Sequence, residues 1–132
     1  MYWPFSRRVL SRQELGALGE RHAARALRSR GLRVLEANFR TKYGELDLVA
    51  RDGDTLVYVE VRTRTRQDDF RTPLESVDAE KQRRLIRLAR AYRAARRIPD
   101  CPGRYDVVEV IATPQGRILD LRHIEGAFIE GM

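Results

Sequence analysis

The stretch GELDLVARDGDTLVYVEVRTR, residues 44–64, most constrains the fold. Its two runs, about 44–50 and 55–63, flank Arg51-Asp52-Gly53-Asp54, where Asp-Gly is a strong signal for a two-residue hairpin loop. A loop at 52 and 53 pairs Arg51 with Asp54, hence Asp47 with Tyr58 and Glu45 with Glu60. Alternation then puts Glu45, Asp47, Tyr58, Glu60 and Arg62 on one face, and Leu46, Leu48, Val57, Val59 and Val61 on the other, which is core. A three-residue loop would instead separate Asp47 from Glu60.

Like charges directly opposed are destabilising, so the Glu45–Glu60 pair expected here needs a compensating positive group. Asp47 and Glu60, as diagonal neighbours roughly 7–8 Å apart at Cα, can reach one cation between them. Oxygen ligands suit Mg²⁺ or Mn²⁺, and no Cys/His pair stands at zinc spacing. A half-exposed hairpin whose acids are simply neutralised by Arg62 or Lys42 is equally compatible with the spacing.

Ser11 and Glu14 form a capping box, in which each side chain satisfies the other's free backbone N–H. A helix of about 12–30 follows, stopped by Gly31, with Leu15, Leu18, Ala23, Ala26 and Leu27 as its apolar side. Glu20 lies at the edge of that side among Gly16, Ala23 and Ala24, small residues that allow close approach to a sheet. Residues 32–39 read as a first strand, RTKYG as a loop, and TRTRQDDFR as an exposed loop. TPLE is a second capping-box pattern, and Asp78 caps a helix of about 79–97 with Leu85, Leu88, Ala89, Tyr92 and Ala95 at helical spacing. Arg83, Arg87, Arg90 and Arg97 fall on another side of it, a solvated face or a DNA contact. RYDVVEVIA and RILDLRHI form a last strand pair around TPQG. The order α-β-β-β-α-β-β predicts an α/β fold, a mixed sheet flanked by helices.

A chain of 132 residues has room for one domain, with residues 1–10 as an N-terminal extension and 11–132 as the domain. Its net charge of +7 is almost all guanidinium, since only Lys42 and Lys81 are lysines, and the planar guanidinium fork pairs well with phosphate oxygens. Nucleic acid is the expected partner. Cys101 stands alone, and no signal peptide or membrane span is apparent, so a cytoplasmic location is expected. His22 and His123 read as structural or exposed rather than as ligands.

GELDLVARDGDTLVYVEVRTR also resembles the core of the PD-(D/E)xK nuclease superfamily, in which an Asp on one strand and a Glu-x-Lys on the next hold a divalent metal. With the GERHAARAL helix, the NFRTKYGELDLVARDGDTLVYVEVRTR hairpin, the SVDAEKQRRLIRLAR helix and the RYDVVEV strand, the chain from about Glu14 to Val110 is similar to the YraN family. These small bacterial proteins are regarded as endonucleases related to Holliday-junction resolvases. The resemblance implies a restriction-endonuclease-like fold, a DNA substrate, branched or flapped, a Mg²⁺ or Mn²⁺ cofactor and a homodimer. It places the metal-binding acids on Asp47 and Glu60, the helix-borne Glu on Glu20, and Glu45 in the shared GE-x-D string.

Leu46 stands where the superfamily has a proline, and Arg62 where it has a lysine. Arginine stays protonated, so Arg62 can stabilise charge or orient a phosphate but cannot be a general base. Lys81, in a shared string ending Lys81-Gln82 at a helix start, can hold a phosphate or substitute for the strand lysine. On this resemblance Asp47, Glu60, Arg62, Glu20 and Lys81 are the catalytic candidates, and Lys42, Arg62, Arg64, Lys81, Arg83 and Arg87 the nucleic-acid contacts. A metal-dependent endonuclease is the leading expectation. A binding module that kept the fold without turnover is the alternative, and an interaction subunit using Tyr2, Trp3 and Phe5 is a third.

Overall fold

The computed structural model describes residues 8–65 and 77–128. Tyr2, Trp3, Phe5 and the TPLE pattern lie outside the described residues, as does most of TRTRQDDFR; its first three residues, Thr63–Thr65, continue a strand.

Helix α1 (Arg12–Ser29) begins with the capping box: the Glu14 amide donates to Ser11 Oγ at 3.0 Å, and the Ser11 amide to Glu14 Oε1 at 2.9 Å. It ends where Gly31, at φ 90°, lets the Leu32 amide donate back to Leu27 and its own amide to Arg28. That is the Schellman closure, which a left-handed glycine makes at little steric cost. Helix α2 (Ala79–Arg96) starts at Asp78, whose carboxylate accepts the Lys81 amide at 2.9 Å. It closes with Arg97 at φ 54°, a left-handed conformation taken without glycine.

Five strands, β1 (Arg33–Thr41), β2 (Gly44–Asp52), β3 (Thr55–Thr65), β4 (Gly103–Ala112) and β5 (Ile118–Phe128), form one sheet in sequential order. β3 and β4 are parallel, joined through α2, and the other neighbours are antiparallel. The element order and mixed sheet are those of a restriction-endonuclease-like fold, as expected.

Both faces of the sheet are core. Ala23, Ala24 and Leu27 of α1 pack on Leu48, Ala50, Val57, Val59, Val108 and Val110. Leu85, Leu88, Ala89 and Tyr92 of α2 pack on the opposite face against Leu46, Val49, Tyr58, Tyr105 and Val107. The expected half-exposed hairpin is therefore replaced by a covered one: the crossover from β3 to β4 must carry α2 over the Tyr58 face. Ala95, expected on the apolar side of α2, is exposed.

Candidate functional site

The β2–β3 hairpin forms, with its register displaced from the expected one. Asp52 pairs with Thr55 and Leu48 with Val59, so the loop is Gly53-Asp54 rather than Asp52-Gly53. Gly53 takes φ 61° at the first central position, where a type II′ turn places glycine. The slip is two residues, an even number, so it keeps the facing of the paired residues and leaves Asp47 and Glu60 just beyond the last pair, Leu48 with Val59. The predicted Glu45–Glu60 opposition does not occur, because the β2–β3 ladder ends at Leu48 and Val59. Glu45 instead pairs with Arg40 of β1, whose Nε donates to Glu45 Oε2 at 2.9 Å.

Alternation in β2 breaks at Asp47. Leu48 shares a core face with Val57, Val59 and Val61 as predicted, the one under α1, whereas Leu46, predicted with them, joins the α2 cluster. Across β1 the same change separates Ala37, opposite Leu48, from Phe39, opposite Leu46, and Asn38 between them takes φ 56°. Asparagine is among the few residues that tolerate this left-handed conformation. Where β2 leaves β3, Asp47 Oδ2 accepts the Val61 amide at 2.8 Å, satisfying a strand donor that the ended ladder leaves over.

Glu20 arrives from α1. Gly19 makes this possible: a Cβ there would stand 1.8 Å from Thr63 Oγ1 of β3, so only glycine lets the helix approach so closely. With its amide turned to donate, Asn38 reaches Glu20 Oε2 at 2.9 Å and Glu45 Oε1 at 2.6 Å. Carboxylate oxygens of Glu20, Glu45 and Asp47 consequently lie within 4.8 Å of one another, all three half-buried. Burial, then Glu60, then Glu20 and Glu45 push the Asp47 carboxyl up to about 8, against the Val61 hydrogen bond. Glu20 is raised by burial and Glu45, which outweigh the Asn38 hydrogen bond. Three acids drawn from a helix and a strand into one half-buried place form a site that favours a cation and could hold a divalent metal through oxygen donors alone.

Glu60 stands beside this triplet as a buried group, 8% exposed. Burial raises its carboxyl, while Arg84, Arg62 and Lys81 pull the other way. Arg62 and Lys81 are thus gathered near Glu60, and Arg84 joins them unforeseen. Its signal was present in the sequence: three residues after Lys81, it lies on the same helix face.

The other basic candidates divide. Lys42 and Arg87 both lie over the exposed ring of Tyr43, at 5.2 and 5.9 Å from its centroid, and Arg83 is exposed on α2. Arg64 is turned inward, 12% exposed and ion-paired with buried Glu109, so its charge serves the interior rather than an outer nucleic-acid surface. His123 has a structural place: its Nε2 is 2.7 Å from Asp106 Oδ2, both side chains fully buried. Asp106 also accepts from Arg104 at 2.9 Å and from the Gly126 amide at 3.0 Å.

Fold and side chains together define a restriction-endonuclease-like α/β domain with an acid cluster between its first helix and its second strand. The chain belongs to the uncharacterised protein family UPF0102, whose profile matches residues 19–110, and this is the YraN family that its motifs resemble. It is 40% identical to a UPF0102 protein of Dictyoglomus turgidum over 90% of this chain and 100% of the relative. A UPF0102 protein of Moorella thermoacetica is 44% identical over 91% of this chain and 99% of its own length. One from Symbiobacterium thermophilum is 47% identical over 88% and 97% respectively. No helix among the described residues is long and apolar enough to cross a membrane.

Proposed function

We propose that this chain is a divalent-metal-dependent endodeoxyribonuclease acting on branched or flapped DNA. The observation that carries this is the meeting of Glu20, Glu45 and Asp47 within 4.8 Å in a protein of net charge +7. Acids serving folding alone are normally paired with cations when buried. Asp47 has acids as its charged neighbours, so a cation bound there would return it to the ionised form.

Glu20, Glu45 and Asp47 would hold Mg²⁺ or Mn²⁺, with Glu60 adjacent. Such an ion supplies, when bound, a water acidic enough to act as nucleophile near neutral pH. Arg62, permanently charged, stabilises the negative charge that builds on the phosphate, the work a lysine does elsewhere in the superfamily. Lys81 in the first turn of α2 and Arg84 one turn later hold the neighbouring backbone phosphate, where the helix N-terminus also favours an anion. Arg83 and Arg87 extend this cationic side along α2, and Lys42, from the β1–β2 turn, stands with Arg87 over Tyr43. Cutting both strands of a branch requires two sites, so the acting unit is a homodimer.

A cleavage panel of single-stranded, duplex, flap and four-way DNA in Mg²⁺ and Mn²⁺ tests this. Wild type is expected to cut at least one substrate, and Asp47→Asn and Glu60→Gln to cut it about 100-fold more slowly or worse. Equal cleavage by the variants sinks the proposal. Arg62, in place of a lysine able to lose its proton, favours one second reading: a nucleic-acid-binding module without turnover. It predicts steeply salt-dependent binding indifferent to chelator, with no substrate cleaved.

A further inference from the structure

Helix α1 carries a feature that the acid site leaves unused. Arg21, Arg25 and Arg28 are exposed at spacings that align them along one side of the helix. None of the three has an acidic partner among the described residues, whereas nearby Arg8 is paired with Glu14 at 3.0 Å. All three line a groove of about 850 Å³ between α1 and β1. Its apolar lining comes from Leu10, Leu18, Val34 and Ala37, over nearly covered Ala24 and Leu48, and the Arg8–Glu14 pair, Glu20 and Asn38 line it too. A row of guanidinium groups beside an apolar floor suits a ligand with phosphates along one edge and flat apolar faces along the other. Duplex DNA hides its base faces in the stack, while an unpaired strand presents them.

We propose that the α1–β1 groove binds an unpaired nucleic-acid strand, its phosphates on Arg21, Arg25 and Arg28 and its bases against the apolar floor. Since Glu20 belongs both to this groove and to the acid triplet, the groove leads that strand to the acids; this deepens the nuclease reading and rests on it for the placement of the cut. The α2 arginines stand apart from the groove lining and are left for the paired arm of a branched substrate.

The test is fluorescence anisotropy of the full chain with a labelled oligothymidylate of about 12 nucleotides and a duplex of the same length, in chelator, across a salt series. For the Arg21→Gln/Arg25→Gln/Arg28→Gln variant, single-strand affinity should fall about tenfold or more at low salt, with the log–log salt slope shallower by about 2. Duplex affinity should change less than about twofold, with thermal melting confirming an intact fold. Undiminished single-strand binding, or equal loss for duplex, overturns the groove. Because chelator removes turnover, failure of the nuclease reading appears separately, as a wild type that cuts nothing in the cleavage panel yet still shows the arginine-dependent single-strand binding.

Discussion

Asp47 accepts the Val61 backbone amide at 2.8 Å at the point where β2 parts from β3. One side chain therefore does the work of a strand partner while standing among the other acids. Its carboxyl is raised from 3.8 to about 8, first by burial and then by Glu60. The folded chain thus holds this proton more tightly than the unfolded chain, so the group's stabilising contribution is full below about 3.8 and is lost as pH rises toward 8.

Metal-free protein is accordingly expected to lose melting temperature between about pH 4 and pH 8. Asp47→Asn keeps an oxygen for Val61, should flatten that decline, and should be more stable than wild type at pH 8 by on the order of a few kcal/mol. Adding Mg²⁺ or Mn²⁺ at pH 8 should raise the melting temperature of wild type and leave Asp47→Asn unmoved. Thermal scans over pH with and without metal check both; a parallel decline in wild type and variant counts against it.

Gly19 and Gly16 make a matched pair. A Cβ at Gly19 would collide with Thr63, and one at Gly16 would meet nothing within 4 Å. Gly19→Ala should destabilise by about 1–3 kcal/mol, push Glu20 away from Asp47, and partly recover with Thr63→Ala. Gly16→Ala, in the helix interior, should stabilise by about 0.5–1 kcal/mol. Urea midpoints of the two variants separate close helix packing from simple helix propensity.

Asp106 is held below the ordinary carboxylate range: burial opposes ionisation, but His123, Arg104 and the Gly126 amide together outweigh it. The sign is opposite to that of Asp47, so its contribution is present above its unfolded pKa and lost as pH falls through the lowered folded value. Asp106→Asn should cost about 3–5 kcal/mol at neutral pH, by removing the buried carboxylate that Arg104, His123 and the Gly126 amide share and leaving Arg104 only Asp52, with a smaller penalty in acid. Chemical denaturation at neutral and acid pH reads that difference.

Arg97 closes α2 at φ 54°. A side chain in the left-handed region costs roughly 1–2 kcal/mol that glycine avoids. Arg97→Gly should therefore raise stability by about 1 kcal/mol without altering any group near the acids. An unchanged or lower denaturation midpoint would mean that the arginine makes up the difference through its side chain.

The sequence by itself determined the features governed by neighbours a few residues apart. Ser11 with Glu14, Asp78, Gly31 and the 52–54 turn each act through local backbone groups, and they settled the helices, strands and their order. Parity survived from Leu48 to Val59 across the turn, because a slip of two residues is even, but not beyond it, where Leu46 changes face. Asp47, Glu60, Glu20 and Glu45 were legible together through the family's motifs, not through spacing alone; the fold brings Glu20, Glu45 and Asp47 within 4.8 Å and leaves Glu60 outside that triplet.

Only the tertiary structure decided how those pieces meet. The turn could close with Gly53 first or second, and packing of Leu46 against α2 and Leu48 against α1 chose the register and the kink that frees Asp47 from the ladder. Gly19 against Thr63, Arg64 with Glu109 and His123 with Asp106 are contacts between distant stretches of chain. Local rules carry no information about such pairs; they form because a sheet covered on both faces must match each buried charge to partners from distant stretches of chain and each helix to one depth at which it fits.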